Sequence, residues 1–218
     1  VFQDRNFTTT DMITAMHHSW YERFFRFYSR FMLSNHFRRI IINGSYTEKN
    51  RSVMLIGNHF SWWDGFIANY LNMVVFKKRF HIMMLEEQLK PRMFLNKAGA
   101  YSIKKQTRDV VNTLNYTVEL MKDKNNIVVM YPQGSIQSVY HYPLKFEKGV
   151  EAILNRSQEV DVYFLVALVD YFSHRKPALT LGIKEYPFEK PVSTLTIQEA
   201  YNEYMQYLIA GQTEEKIW

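Results

Sequence analysis

Short apolar runs alternate with amphipathic stretches along most of this chain. The runs, bounded by polar or turn-forming residues, have the length of buried strands and lie at 52–57, 80–84, 99–103, 127–131, 162–169 and 179–183. Apolar residues three or four apart predict helices at 62–73, 107–122 and 197–209. The alternation predicts an α/β fold with a mixed, largely parallel central sheet flanked by helices, preceded by an N-terminal amphipathic helical region.

The N-terminal periodic stretch, residues 11–39, predicts one helix with Asp11 in its first turn. Its apolar stripe recurs at steps of three or four and consists of Met12, Met16, Trp20, Phe24, Phe27 and Phe31. Three arginines flank the stripe, which suits either a helix lying in a membrane interface or a helix packed wholly on the protein's own core.

A turn at Asn43-Gly44 ends this region. We therefore expect residues 1–44 to form a helical region that could associate with a membrane, and residues 45–218 to form an α/β domain.

Charge and composition narrow the function classes. The chain of 218 residues carries a formal net charge of +6, which suits anionic partners such as phospholipid headgroups, coenzyme A, an acidic carrier protein or nucleic acid. It has no cysteine, so a disulfide framework and a thiolate nucleophile are excluded. Its seven histidines show no metal-binding spacing, and no apolar run approaches the roughly 18 residues of a membrane span.

The most informative segment is 58–64, Asn-His-Phe-Ser-Trp-Trp-Asp, which lies between a predicted strand and a predicted helix. Sites in α/β proteins lie at such carboxyl ends of strands. Ser61 and Asp64 match a capping box, which leaves His59 in the loop before the helix. From there His59 can fold back toward Asp64, although side chains five apart on one helix share no face.

A carboxylate on one imidazole nitrogen would fix the tautomer and leave the other nitrogen as a general base. The alternative is that Asp64 only caps the helix and His59 is an ordinary loop residue.

Segment 58–64 resembles the first block of the glycerol-3-phosphate and lysophospholipid acyltransferase superfamily, usually Asn-His-x-Ser-x-x-Asp. Residues 99–105 resemble the second block, Gly-x-x-Phe-Ile-x-Arg, with Lys105 at the arginine position. Residues 131–135, Tyr-Pro-Gln-Gly-Ser, resemble the third block, Phe-Pro-Glu-Gly-Thr, and the Phe-x-x-Gly that follows it is present at 146–149. Residues 164–168 stand where the fourth block's apolar strand belongs, without its usual proline.

The resemblance implies a membrane-associated O-acyltransferase with His59 and Asp64 as its catalytic pair. His59 would take the proton of an acceptor hydroxyl, and the alkoxide would attack the thioester of an acyl-CoA or an acyl carrier protein. Lys105, Gln133, Gly134 and Ser135 are the expected substrate-binding residues. The resemblance further implies a lipid acceptor, phospholipid biosynthesis, a peripheral or monotopic place on the cytoplasmic face of a membrane, and no cofactor or metal beyond the thioester co-substrate.

Two other functions stay open at this point. A non-catalytic lipid-binding protein could use the same fold. A nucleic-acid-binding module is suggested only by basic charge and aromatic residues, no recognised motif supports it, and we expect no nucleic-acid partner.

Three departures from the family pattern bear on the acceptor. Ile136 stands where the third block continues with an arginine, Gln133 replaces its glutamate, and Lys105 replaces the second-block arginine. A lysine lacks the bidentate fork of an arginine. The sequence therefore predicts a weaker preference for phosphate-bearing acceptors.

Overall fold

The computed structural model describes residues 12–104 and 109–213. Within these ranges seven strands form one sheet: β1 (Arg39–Asn43), β2 (Ser52–Gly57), β3 (Arg79–Leu85), β4 (Ala100–Ile103), β5 (Asn126–Met130), β6 (Val160–Asp170) and β7 (Ala178–Glu185). The α-helices are α1 (Ser19–His36), α2 (Asp64–Leu71), α3 (Glu86–Leu89), α4 (Met93–Asn96), α5 (Asp109–Leu120), α6 (Gly149–Arg156) and α7 (Thr194–Ala210). A π-helical turn, Asn72–Phe76, extends α2, and a 3-10 turn, Lys90–Arg92, separates α3 from α4.

The strand order is β1-β7-β6-β2-β5-β3-β4. The five strands from β6 to β4 run parallel, β7 is antiparallel to β6, and β1 is parallel to β7. The predicted α/β class with a mixed, largely parallel sheet is confirmed. Since the five parallel strands point one way, their carboxyl ends form a single edge, called the carboxyl edge below.

Both faces of the sheet are covered, which explains why β2 reads as an unbroken apolar run. Met54 and Ile56 belong to a core cluster with residues of α5, α6 and α7. Val53 and Leu55 belong to a second cluster with residues of α1 and α2. The alternation of side chains along β2 thus joins two cores through one strand.

Helix α7 approaches the sheet unusually closely at Gly182 of β7. A Cβ atom at this glycine would lie 2.1 Å from Leu208 Cδ1 and 2.8 Å from the Tyr204 hydroxyl. The absent side chain therefore sets the distance between α7 and the sheet.

The predicted N-terminal helix is wrong over its first turns. The helix begins at Ser19, while residues 12–18 form no helix and lie beside β4 and the segment before it. Ser102 donates its backbone N–H to Ile13 O at 2.9 Å, and His17 forms a bridge with Ala98. Backbone groups at the edge of the sheet near β4 offer hydrogen bonds to this segment. These bonds form in place of the helix that the spacing of Met12 and Met16 predicts. Asp11 lies outside the described residues.

The turn at Gly44 is present, with a φ of +107° that favours glycine. The strand before it, β1, was not predicted, and it pairs with β7 at the edge of the sheet. The division of the chain at residue 44 stays a prediction, with β1 on its N-terminal side.

Candidate active site

Two loops meet at the carboxyl edge of the sheet. One follows β2 and carries His59, and the other follows β5 and carries residues 131–148. Because β2 and β5 are parallel neighbours, with Ile56 opposite Met130, their loops leave the sheet side by side. The first and third motif blocks, whose nearest ends Asp64 and Tyr131 are 67 residues apart along the sequence, thus come together at one place.

His59 and Asp64 form the predicted pair. His59 Nδ1 lies 2.6 Å from Asp64 Oδ2, and the Asp64 side chain is 2% exposed whereas that of His59 is 28% exposed. An ionised carboxylate only accepts hydrogen bonds, so Nδ1 carries the proton of the pair and Nε2 is left with a lone pair. The ring nitrogen that does not contact Asp64 therefore has the form a general base requires.

Local backbone groups hold the Asp64 carboxylate in place. Its Oδ2 accepts from Phe60 N at 2.9 Å and from Ser61 N at 3.0 Å, and Ser61 Oγ donates to Oδ1 at 3.3 Å. Ser61 Oγ also accepts from Trp63 N at 3.0 Å. The bond from Ser61 N to the Asp64 carboxylate is the predicted half of a capping box. Ser61 does not cap the helix as predicted, because its hydroxyl accepts from Trp63 N and α2 begins at Asp64 with Trp63 as its cap. The Asp64 carboxylate thus binds the backbone of the loop and also orients the imidazole.

Tyr131 supports the pair from the other loop. Its ring stacks on that of His59, and its hydroxyl donates to the backbone carbonyl of Asp64 at 2.8 Å. A Cβ atom at Gly57 would lie 2.7 Å from Tyr131 Cε1, so the ring needs glycine at the end of β2. Burial, and secondly the Asp64 charge, raise the pKa of Tyr131 well above its usual value, so the hydroxyl remains a donor. Sequence reasoning gave this tyrosine no role in the site.

Gln133 joins the loop after β5 to the His59 loop by a hydrogen bond. Its Oε1 accepts from His59 N at 2.6 Å, while its Nε2 donates to Gln137 Oε1 at 2.8 Å. Gln137 N in turn donates to His59 O at 2.9 Å, which closes the connection. A glutamate could accept the first of these bonds but could not donate the second. This role explains glutamine at the position, and contact of Gln133 with a substrate stays a prediction.

Gly134 and Ser135 continue the loop toward solvent. Gly134 has a φ of +67° and donates its N–H to Tyr131 O at 3.1 Å, which makes the turn. Ser135 is exposed, and Ile136 is 57% exposed. The predicted contact of Gly134 and Ser135 with substrate stays a prediction. The side chains of Ser135 and Ile136 are accessible at the carboxyl edge.

Lys105, the predicted phosphate contact, lies outside the described residues. Its neighbour Lys104 follows β4 at the carboxyl edge, with Nζ 3.6 Å from Oε1 of the buried Glu86. Lys90 Nζ contacts the same oxygen at 2.7 Å. Burial raises the pKa of Glu86, but the hydrogen bond from Lys90 and the charge of Lys104 outweigh it and hold the pKa below its usual value. An ionised glutamate thus holds two lysines at this edge.

Asn58, which precedes His59, is hydrogen-bonded to β6. Its Nδ2 donates to Ala167 O at 3.0 Å, and its Oδ1 accepts from Ala167 N at 2.8 Å. One side chain thereby uses both backbone groups of a single residue, as a neighbouring strand residue would. The sequence motif contains this asparagine but does not reveal what it contacts.

In the part of the chain that is described, no group of three or more histidine, aspartate or glutamate residues could hold a metal ion. What the site does present is a buried carboxylate, a half-buried imidazole and two loops hydrogen-bonded to each other. This arrangement suits removal of a proton from a bound hydroxyl group.

Comparisons with known proteins agree with the fold and with the family resemblance. Residues 38–176, more than half of the chain, match the family model described as Acyltransferase. The fold is similar to the crystal structure of the 1-acyl-sn-glycerophosphate (LPA) acyltransferase PlsC from Thermotoga maritima, with a TM-score of 0.60 and 15% sequence identity. That similarity covers 88% of this chain and 81% of the Thermotoga chain. No curated protein sequence matches this chain significantly.

Proposed function

Because this chain belongs to the acyltransferase family, we propose that it moves a fatty acyl group from an acyl thioester to a hydroxyl of a lysophospholipid, glycerol-phosphate or related lipid. The donor is an acyl-CoA or an acyl carrier protein, and His59 is the general base. The observation that carries this proposal is the 2.6 Å contact between His59 Nδ1 and the buried Asp64 carboxylate.

The reaction needs no covalent acyl-enzyme. His59 Nε2 takes the proton of the acceptor hydroxyl as its oxygen attacks the thioester carbonyl carbon. The C–S bond then breaks, and the leaving thiolate takes that proton back from the imidazolium, so the products are an ester and a thiol. Asp64 stabilises the imidazolium between the two transfers. A positioned base of this kind contributes roughly 10²–10⁴-fold to the rate.

The acceptor would bind at the carboxyl edge of the sheet. The Thermotoga protein is named for action on 1-acyl-sn-glycerophosphate, and a lysophospholipid is the acceptor we propose here by analogy of fold. Lys90 and Lys104 supply positive charge at this edge, although both share Glu86. Ile136 supplies none, which supports the weaker preference for phosphate that we propose.

We further propose that α1 binds the cytoplasmic face of a membrane. Trp20, Phe24, Phe27 and Phe31 are 44–71% exposed, so this stripe is not packed wholly on the core. The opposite face of α1 holds Phe25, Ser29 and Leu33, which are buried. The exposed face of α1 also carries arginines that suit lipid phosphates.

The stripe extends toward the candidate active site. Phe24 stacks on Tyr28, and Tyr28 meets Phe66 of α2 edge-on, both at 5.7 Å between ring centroids. Phe66 in turn contacts Trp62, which precedes the catalytic Asp64 and is 58% exposed. No described helix is both long and apolar enough to cross a bilayer. A peripheral or monotopic attachment through this aromatic surface is therefore the mode we propose.

The proposal is tested by incubating the protein with labelled acyl-CoA or acyl carrier protein and a panel of lysophospholipids, glycerol-3-phosphate and neutral hydroxylated lipids. We expect transfer to at least one lipid hydroxyl. His59→Ala should lower kcat by about 10²–10⁴-fold without loss of fold, and Asp64→Asn should also lower it. His174→Ala, which changes a histidine of the loop between β6 and β7, is the control. Near-normal turnover by His59→Ala would contradict the assignment of the base.

A further inference from the structure

Strand β2 ends earlier than its neighbour β6 at the carboxyl edge of the sheet. This strand stops at Gly57, opposite Leu165, whereas β6 continues to Asp170. The backbone groups of β6 past this point need new partners, since burial without a hydrogen bond is costly. Asn58 satisfies both groups of Ala167 through its side chain. The backbone can then leave the sheet and carry His59 into the site.

Tyr201 of α7 satisfies a further backbone group of β6, the carbonyl of Leu165. Its hydroxyl donates to Leu165 O at 2.7 Å and lies 3.3 Å from Asn58 Oδ1. Its ring has no exposed surface and packs against Phe146 at 5.3 Å and Phe164 at 5.1 Å between centroids. Burial raises its pKa well above the usual value of a tyrosine, so the hydroxyl keeps its proton. A rigid donor on α7 thus fixes the point where the His59 loop begins.

The next residue of α7 holds the other loop. Asn202 Nδ2 donates to Leu144 O at 3.0 Å, and its Oδ1 accepts from Leu144 N at 2.9 Å. This is the same two-bond arrangement that joins Asn58 to Ala167. Leu144 belongs to the loop that carries Gln133, so neighbouring residues of one helix hold both halves of the site.

A ladder of amide side chains extends this contact along α7. Gln198 Oε1 accepts from Phe146 N at 2.8 Å, and Gln206 Oε1 accepts from the Tyr142 hydroxyl at 3.3 Å. Residues 198, 202 and 206 are four apart, which is a rise of about 6 Å on a helix. Residues 142, 144 and 146 are two apart, which is about 6.6 Å in an extended chain. The near match lets α7 hold every second residue of the segment.

We infer that Tyr201 and Asn202 are positioning residues of the active site. Tyr201 acts through Asn58 on the loop that carries His59. Asn202 acts through Leu144 on the loop that carries Gln133. The inference rests on the proposed acyl transfer for its catalytic consequence. Helix α7 lies beyond the matched family region, residues 38–176, so the motif blocks do not assign it a part in the site.

The variant that tests Tyr201 is Tyr201→Phe, which keeps the ring packing and removes only the hydroxyl. Loss of one such hydrogen bond should lower kcat about tenfold while KM for both substrates changes less than about twofold. Tyr204→Phe removes a hydroxyl one turn away on the same helix, contacting β7 rather than the loop, and should keep the wild-type kcat. Rates are measured well below the unfolding temperature of each variant.

Asn202→Leu is the second variant, of similar size but without the amide. It should raise KM for the lipid acceptor about tenfold with a smaller change in kcat, since it frees the loop that carries Gln133. If Tyr201→Phe fails to fold, this variant still decides the assignment of Asn202, with the acceptor KM of Tyr204→Phe as its reference. An unchanged acceptor KM in Asn202→Leu, or a kcat in Tyr201→Phe equal to that of Tyr204→Phe, would overturn the corresponding assignment.

A readout without turnover separates this inference from the proposed function. The proton between His59 Nδ1 and Asp64 gives a downfield NMR resonance, identified by its loss in His59→Ala. Tyr201→Phe should shift or broaden this resonance, and Tyr204→Phe should leave it in place. A resonance that stays unmoved in Tyr201→Phe counts against the inference whether or not acyl transfer is found. Absence of transfer by the wild-type protein counts against the proposed function alone.

Discussion

The rings of His59 and Tyr131 lie nearly parallel, 20° apart in plane and 4.9 Å between centroids. Through its hydroxyl the same tyrosine reaches the backbone of Asp64. One residue of the second loop therefore contacts both members of the proposed catalytic pair. The ring gives the imidazole a flat surface, and the hydrogen bond ties that surface to the start of α2.

This relationship predicts different results for two substitutions. Tyr131→Phe keeps the stacked ring and loses one hydrogen bond, so we expect kcat to fall by no more than about tenfold. Tyr131→Leu also removes the stacked surface, and we expect a larger loss of roughly 10²-fold because small displacements of a base are costly. Steady-state kinetics at saturating donor checks both. Equal losses in the two variants would show that the stack itself contributes nothing.

Membrane binding should depend on the exposed aromatic face of α1. The double variant Phe27→Ser/Phe31→Ser should reduce cosedimentation with anionic vesicles by tenfold or more, since burying one such ring contributes about 1.5–3 kcal/mol. Val111→Ser is the matched control, because Val111 is 56% exposed on α5, which packs on the other face of the sheet. Wild-type sedimentation of the double variant would assign membrane contact to another surface. Raising the salt concentration should weaken binding further if the arginines take part.

Acceptor preference should depend on position 136. Ile136→Arg places a guanidinium on an exposed residue of the loop that contacts His59. If this position faces the acceptor, the change should improve kcat/KM for lysophosphatidic acid about tenfold or more relative to its dephosphorylated counterpart, as expected of one charge-assisted hydrogen bond. The measurement is competition between the two acceptors at fixed donor. Strong wild-type preference for the phosphorylated acceptor would already contradict the predicted weak recognition of phosphate.

Stability should fall in acid because of His81. Burial, and secondly the neighbouring His17, lower the pKa of His81 to about 4, and the two rings meet edge-on at 4.7 Å. The unfolded chain binds a proton here below about pH 6.5, whereas the folded chain does so only below about pH 4. The free energy of unfolding should therefore decrease as pH falls from 6.5 to 4, by an amount on the order of 3 kcal/mol for this group.

The check is urea unfolding at a series of pH values. His81→Met, which keeps the volume and removes the titrating ring, should lose less stability over this interval than the wild type. Parallel pH dependences in the two proteins would place the acid sensitivity elsewhere.

The sequence was most informative where function depends on local spacing. His59 and Asp64 are five residues apart between a strand and a helix, and a local capping pattern brings them together. The sheet was also predictable, since strands buried on both faces are mostly apolar, as β2 is from Val53 to Ile56. The third block predicted a loop beside His59, but it did not show that Gln133 hydrogen-bonds to the His59 backbone.

The errors arise from contacts between distant segments. Residues 12–18 have helical periodicity, yet they form hydrogen bonds with β4 and the segment before it instead of helical ones. The sequence 39–43 is short and begins with an exposed arginine, and it forms a strand because β7 offers its edge. The helix predicted at 197–209 corresponds to α7. No local pattern shows that Tyr201 of this helix contacts Asn58, which lies 143 positions earlier.

That separation has a consequence for the order in which the enzyme becomes active during its synthesis. The ribosome makes the entire His-x4-Asp motif long before it makes Tyr201 and Asn202. A nascent chain therefore holds His59 and Asp64 while the two loops around them still lack their fixed positions. Contacts so distant in sequence also form late in folding, since closing a long loop is entropically costly. If α7 has the positioning role inferred here, docking of this helix against Gly182 is the event that switches the new enzyme on.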